Sequence, residues 1–417
     1  MVLRGDNMTS VKRGNRSIIL NLLHGDGELS RKRLSEQMKL TPAAITLITR
    51  EMIAEGLLSE GDVQKTEGSS GRREIPLKIA YGAFTALGVT LNIGEAILSA
   101  TTLDGTLVFS ESVPFQADNP APETVAALSD KLFTLVSQHK LDPARIIGLG
   151  IGMRGVVDVE NAHSVQSFGA FRESNIPLRD LFEKETGLPV TMDNNTRSMF
   201  RAHIFFTNES YASQLFIRCE RGIGGAVSAG GRLILGSRGK CAELGHTPVV
   251  EQGGKPCFCG KHGCLETVST APAILDDVSA IYAMERTPLL YKYTGGHIEN
   301  LSIDHVFQAA AEGDLETDAV VQNAASKLSS VLKTITYTLD PSSILLCGNI
   351  FEHAYFLKSL YRHFARGTEL DPRQFIQITS LNLILEDKAA CVIAIEAFFA
   401  RGGLLSNHPN VERKIAT

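Results

Sequence analysis

The 417-residue chain lacks any stretch approaching the about 18 uninterrupted apolar residues of a membrane-crossing helix, so no membrane insertion is expected. Its first residues, MVLRGDNMTSVKRGNRS, lack an apolar run ahead of a small-residue cleavage site, so no export signal is read and the protein is expected to be cytoplasmic. Cysteine is scarce: Cys219, Cys241, Cys257, Cys259, Cys264, Cys347 and Cys391 are odd in number and scattered apart from one trio. That argues against a disulfide framework and leaves metal as the option for the trio. There is no low-complexity tract and no short-period repeat. Neither charge sign dominates; a net charge of −5 excludes a protein that coats nucleic acid with its whole surface. With 43% hydrophobic and 21% charged residues the chain is neither disordered nor membrane-embedded, and its length calls for two or three domains.

What is there begins with an uneven charge distribution. Residues 1–80 hold 13 Lys+Arg against 10 Asp+Glu, which leaves 28 against 36 for the remainder: a mildly basic head on an acidic body. From Gly14, the residues Ile18, Ile19, Leu22 and Leu23 keep helical spacing until the turn-forming His24-Gly25-Asp26-Gly27. Ser30 stands as an N-cap before RKRLSEQM, and Thr41-Pro42 repeats the device with proline at the first helical position. Helices are therefore predicted over 31–38 and 42–55, joined by a short turn.

In the second of these helices Ile45, Ile48 and Met52 share one face. Pro42, Ala43, Thr46, Leu47 and Arg50 point away, next to the cap Thr41. Small residues with one arginine suit a helix laid in a major groove, where methyls meet thymine and arginine meets a base edge or phosphate. After Gly56 come LLSE, a Gly-Ser stretch at 68–71 and Arg72-Arg73-Glu74-Ile75-Pro76-Leu77. These predict two short strands with a basic tip, a wing from which Arg72 and Arg73 reach phosphates or the adjacent minor groove. The same residues would also suit a small helical interaction module with a solvated arginine pair. The two capped helices and the wing together favour a winged helix-turn-helix that binds double-stranded operator DNA.

Past a linker near 79–83 the pattern becomes mixed α/β. Strands are predicted over 85–91, 96–102 and 106–114, with Asp104-Gly105 as a turn, then a helix (122–139), a strand (146–151), a helix opening near Pro177, a strand (189–192) and a helix (196–205). A second cycle has strands at 214–219 and 225–229, helices near 272–283 and 315–338, a strand (344–347), a helix (352–366), a strand (376–379) and a last helix (388–401). Two α/β halves of similar plan suggest a cleft, the usual place for a small ligand.

The sharpest local signal is Glu243-Leu244-Gly245-His246 followed by Cys257-Phe258-Cys259-Gly260-Lys261-His262-Gly263-Cys264-Leu265-Glu266. Thiols at C-x-C-x4-C with a histidine eleven residues upstream supply the Cys3His set that tetrahedral Zn2+ prefers, and Gly260 and Gly263 let the backbone fold tightly between ligands. No ligand position stays open, so a structural rather than catalytic zinc is expected on His246, Cys257, Cys259 and Cys264. His262, on a glycine-flanked turn, is a rival ligand expected to be exposed.

The head, the Glu243-x-Gly245-His246 motif and the C-x-C-G-x-x-G-C-x-E segment together resemble the ROK family (repressors, open reading frames and sugar kinases), in particular its winged-helix transcriptional regulators. The resemblance covers essentially the whole chain. It implies an N-terminal winged helix-turn-helix domain (1–80) followed by a two-lobed actin-like α/β domain: a first lobe over 84–200 with the C-terminal helix at about 385–405, and a second lobe with the zinc site over 201–384. It implies that zinc organises a sugar pocket and that His246 is shared between metal and sugar. Glu243 and Glu266 would hydrogen-bond sugar hydroxyls, with Asn194, Asn195 and the Gly155 turn of Gly152-Met153-Arg154-Gly155-Val156 in the same pocket.

Two departures separate the chain from the kinases it resembles. Their Asp-x-Gly-Gly-Thr phosphate loop is here Thr90-Leu91-Asn92-Ile93-Gly94, which loses the aspartate and the glycine pair. Their catalytic aspartate aligns with Asn195 of Met192-Asp193-Asn194-Asn195-Thr196-Arg197, and an amide cannot take a proton from a hydroxyl. Asp193 lies two residues away and is not expected to point the same way. Gly222-Ile223-Gly224-Gly225 and Cys347-Gly348-Asn349 are read as ordinary turns. The expectation is a catalytically inactive, sugar-responsive transcriptional regulator, a repressor acting as a homodimer or dimer of dimers. The alternative is a DNA-tethered, ATP-dependent sugar kinase; a co-regulator whose body binds another protein is a third class.

Overall fold

In this computed structural model residues 8–62, 74–208, 213–379 and 382–405 are described. They form two compact units. One holds the described residues through Asn208 and those from Leu385 onward; the other holds those between.

The first unit opens with α1 (Met8–Asp26), β1 (Leu29–Ser30), α2 (Arg31–Met38), α3 (Pro42–Ala54), β2 (Leu58–Glu60) and β3 (Pro76–Ile79). Both expected caps are in place: Ser30 Oγ accepts from Arg33 N at 3.3 Å and Thr41 Oγ1 from Ala44 N at 3.3 Å. The helices bury Leu20, Leu34, Ile45 and Met52 completely, and the strands form a three-stranded antiparallel sheet in the order β1-β3-β2. This is the helix and strand complement of a winged helix. β1 carries no sequence signal, since two residues are too few for an alternation. Arg72 and Arg73, expected at the tip of a wing, lie outside the described residues.

The unit continues with β4 (Thr85–Leu91), β5 (Glu95–Thr102), β6 (Leu107–Pro114), α4 (Ala121–Gln138), β7 (Ile146–Met153), β8 (Val156–Asp158), β9 (His163–Gln166), α5 (Leu178–Thr186), β10 (Val190–Asn194) and α6 (Asn195–Thr207). α6 carries the unit past the 200/201 division expected from the sequence, because Phe200, Ile204 and Phe205 continue its buried face. The five-stranded sheet runs β10-β7-β4-β5-β6, with β7 and β10 parallel to the first strand and the hairpins antiparallel. Leu87, Val89 and Leu91 share a core with Leu128 and Leu132 of α4 and Phe182 of α5. The opposite face receives α14 (Asn382–Ala400), which lies so close that a Cβ on Gly150 would sit 1.7 Å from the Ala390 carbonyl oxygen.

The second unit contains β11 (Gln214–Cys219), β12 (Ile223–Ala229), β13 (Arg232–Leu233), α7 (Glu266–Ser269), α8 (Ala271–Ser279), α9 (Pro288–Tyr293), α10 (Ile303–Ala311), α11 (Leu315–Leu339), β14 (Ser343–Cys347), α12 (Ala354–Ala365), α13 (Pro372–Phe375) and β15 (Ile376–Ile378). Its sheet order β13-β12-β11-β14-β15 repeats the plan of the first. α8 stops at Ser279, short of the expected 283, since Tyr282 turns to hydrogen-bond Thr294 and Ala283 N bonds Thr287 Oγ1. The hairpin β8–β9 and the helices α9 and α10 go unpredicted, being too short for their periodicity to stand out.

Candidate functional site

α3 presents the expected residues outward. Thr41, Pro42, Ala43, Thr46, Leu47 and Arg50 are all exposed, Leu47 by 62%, while Ile45, Ile48 and Met52 are buried.

In the second unit the ligand atoms of His246, Cys257, Cys259 and Cys264 all lie within 4.8 Å of one another. They come from a short 3-10 turn (Leu244–His246) and from a tight loop closed by Cys257 N to Lys261 O at 2.8 Å and Gly263 N to Lys255 O at 2.9 Å. Gly263 has φ +68, and a Cβ there would meet the Val250 carbonyl oxygen at 2.0 Å, so this turn needs glycine. Cys257 Sγ lies 3.4 Å from His246 Nδ1 and Cys259 Sγ lies 3.6 Å from Cys264 Sγ. A tetrahedral Zn2+ with ordinary Zn–S and Zn–N bonds separates its ligand atoms by about 3.5–3.8 Å, so the donor set and its spacing fit the ion. His262 is exposed and outside the cluster.

Two carboxylates attend the histidine. Glu266, 8% exposed at the start of α7, accepts from the Cys257 thiol at 2.9 Å and lies 3.4 Å from His246 Nδ1. Glu243 Oε2 lies 3.9 Å from Nε2 on the ring's other side. The solvated position that a helix-opening glutamate ordinarily takes is thus not where Glu266 sits. Burial, reinforced by Glu266, pushes the Cys257 thiol well above the ordinary thiol range, and burial with Cys259 beside it raises Cys264. Without metal these sulfurs hold their protons, and metal binding displaces them.

The first unit carries the other expected group where β10 becomes α6. Asn194 is the N-cap: its Oδ1 accepts from Thr196 N (2.9 Å) and Arg197 N (3.3 Å), and its Nδ2 donates to the Gly155 carbonyl (2.8 Å). Gly155 has φ +100 and a Cβ would sit 2.0 Å from the Gln166 carbonyl oxygen, which explains glycine at this corner. Three of the four hydrogen-bonding positions of Asn194 are thus spent on structure, which spacing alone does not reveal. Asn195 is 7% exposed, and its Oδ1 accepts from Thr196 N at 2.8 Å. The Asp193 carboxylate accepts from Arg197 Nε at 2.6 Å, Asn194 N at 2.7 Å and Arg201 Nε at 3.1 Å.

At the turn between β4 and β5 Asn92 Nδ2 donates to Glu386 Oε1 of α14 at 3.1 Å, which places a carboxylate beside the hairpin. A partner 294 residues away leaves no local signal, and Glu386 escapes sequence reasoning. Gly348, φ +135, packs where a Cβ would lie 2.0 Å from the Cys219 carbonyl oxygen, a packing reason for that turn.

Two α/β units with one repeated sheet plan, a capped three-helix head and a His/Cys3 cluster define a class of two-lobed sugar-kinase-like proteins with an added winged helix. The chain belongs to the ROK family, whose model matches residues 88–382. It is similar to the DNA-binding transcriptional repressor Mlc of Escherichia coli strain K12, with 28% identity over 345 residues and 82% of each chain covered. It is also similar to the N-acetylglucosamine repressor of Escherichia coli O6:H1 (strain CFT073), with 26% identity over 350 residues and 83% of each covered. The crystal structure of a ROK family transcriptional regulator described as a homologue of the E. coli MLC protein superposes with a TM-score of 0.76 at 24% identity, covering 97% of this chain and 99% of that one. The likeness of fold therefore extends over the head, which the family model does not reach.

Proposed function

We propose that this chain is a sugar-responsive, DNA-binding transcriptional repressor of carbohydrate uptake or catabolism genes, acting in the cytoplasm. The observation that carries the reading is the outward face of α3, with Thr46, Leu47 and Arg50 exposed on a head joined to a ROK domain. Arg50, with Arg72 and Arg73 of the wing, supplies charge for phosphates and base edges. Such heads read paired half-sites, so the active species is a homodimer or a dimer of dimers.

His246, Cys257, Cys259 and Cys264 hold a structural Zn2+, which ties the loop together when bound. His246 turns Nδ1 to the thiols and Nε2 toward Glu243, so one ring serves the metal and orients a carboxylate for sugar hydroxyls. Glu243, Glu266 and His246 are the proposed sugar contacts of the second unit. Gly155, the remaining amide hydrogen of Asn194 and the Asn195 amide are those of the first.

Phosphotransfer is not part of this reading. The base position is an amide, Asp193 is held by two arginines, and Glu386 faces the loop that would take phosphate. The wild type is therefore expected to show no glucose-dependent ATP turnover in a coupled assay, and turnover there would reinstate the kinase; Asn195→Asp is also expected to show none, and turnover confined to that variant would place the lesion at the amide alone. The test of function is sequencing of genomic fragments captured by the purified protein with and without a pool of sugars. A paired-half-site sequence beside carbohydrate genes, lost when the pool is present, is the expected result. No enriched fragment under either condition overturns the reading.

A further inference from the structure

We infer that α6 and α14 carry the state of the Gly155–Asn194–Asn195 corner to the head, with His24 and Arg16 as the positioning residues that receive it. What is transmitted rests on the sugar-responsive reading above; the path rests on contacts within the first unit.

One limb is α6 itself. It opens at the Asn194 cap and runs 13 residues, about 20 Å, to a C-terminal turn that touches α1. There the Phe205 ring stacks on His24, with centroids 4.1 Å apart and planes 24° apart, and the Phe205 carbonyl lies 3.1 Å from His24 Nε2. Tyr81 Oη holds the other ring nitrogen at 3.2 Å, and Phe399 of α14 meets the ring edge-on. A polar ring in an aromatic slot, with both nitrogens engaged, has little freedom to slide when α6 moves.

The other limb crosses to α14. Asp193 next to the corner pairs with Arg201, and Arg201 Nη1 reaches Glu396 Oε2 at 2.9 Å. Just beyond the end of α14 the Gly402 carbonyl accepts from Arg16 Nε at 2.7 Å. Arg16 is 1% exposed, and the rest of its guanidinium grips the Glu55 carboxylate, with Nη1 2.8 Å from Oε1. Glu55 is the C-cap of α3, and its backbone carbonyl is also held by Arg145 Nη1 at 3.2 Å. The C-cap of α3 is thus held through its side chain to Arg16 of α1, and by way of Arg16 to Gly402, and through its backbone to Arg145. The planar guanidinium meets the carbonyl through Nε and the carboxylate through both Nη atoms, a bidentate geometry that a lysine ammonium does not reproduce. Packed interfaces of this kind shift between discrete arrangements rather than deform smoothly, so a small movement of α6 becomes a change in the seat of α3.

The test uses the full-length protein and has two arms. Hydrogen exchange without any ligand compares wild type with Arg201→Gln, a change in the body. The path predicts exchange faster by about threefold or more in α3; unchanged exchange there overturns it. The second arm measures operator-fragment affinity with and without N-acetylglucosamine, glucose or xylose in wild type, His24→Ala and Arg16→Met. The sugar-induced change, read as the ratio of affinities with and without sugar for the same protein, should shrink at least about fivefold in each variant. Full retention of the sugar effect in both variants overturns the inference, and His24→Ala, at a half-buried site, guards against misfolding of Arg16→Met. A wild type that responds to none of the sugars overturns the sugar reading for those probes, while the exchange arm still decides the path.

Discussion

The two units share one strand order and put it to different chemical use. In the first, the parallel strands β7 and β10 deliver a buried polar corner of Asp193, Asn194 and Asn195. In the second, the strands in the same places, β14 and β15, end on Cys347 and Ile378, and the polar chemistry sits in the segment between β13 and α7. The hairpins after the first strands differ as well. Asn92 of the first reaches the side chain of Glu386, whereas Glu220 of the second accepts the backbone N–H of Asn349 at 3.0 Å. A repeated sheet supplies equivalent positions; the residues placed there decide what each does.

The largest expected effect falls on the second unit. Cys264→Ser should abolish stoichiometric zinc and lower that unit's calorimetric transition by about 3–5 kcal/mol, or on the order of 10 °C. A variant that keeps both its metal and its melting profile would remove the His/Cys3 cluster from what sets the second unit apart. Because Cys257 and Cys264 hold their protons above the usual thiol range, metal must displace them. Zinc affinity, measured by chelator competition, should rise with pH by about tenfold per unit for each proton released; a flat profile would remove the thiols from the ligand set.

Next in size is Asp193→Asn in the first unit. It strips a carboxylate from a pair whose side chains are only 1% and 3% exposed, and leaves Arg197 deprived of that charge in a buried place. The expected cost is about 3 kcal/mol in urea unfolding followed by a first-unit probe. A loss below about 1 kcal/mol would mean that the corner is held by its caps and not by the ion pair. The smallest effect is assigned to its counterpart in the second unit. Glu220→Gln keeps a hydrogen-bond acceptor at an exposed contact and should change stability by no more than about 0.5 kcal/mol. A cost as large as that of Asp193→Asn would make the two units equivalent in how their loops are held.

Legibility followed distance along the chain. The caps Ser30 and Thr41, the outward face of α3, both sheets' main strands and the Cys3His spacing all arise from residues within a turn or a loop of one another, and each stands in the structure at its expected place. Whatever depended on remote partners did not show. Nothing around Glu266 announces that it faces a thiol, and nothing around Asp193 announces that Arg197 and Arg201 turn to it and not to solvent. Short elements such as β1, β8 and β9 were hidden for another reason: they are made by pairing rather than by propensity.

By itself, then, the sequence determined the local chemistry: which residues cap helices, which cysteines can share a metal, and which face of α3 stays exposed. Backbone geometry makes those outcomes nearly independent of the rest of the molecule. Tertiary structure alone decided that Arg16 joins α1 to Glu55 and Gly402, that His24 lies on Phe205, and that Glu386 meets Asn92. Those contacts link residues 39 to 386 positions apart: the packing of α14 brings Glu386 and Gly402 within reach, while α1 meets the C-cap of α3 and the end of α6 directly.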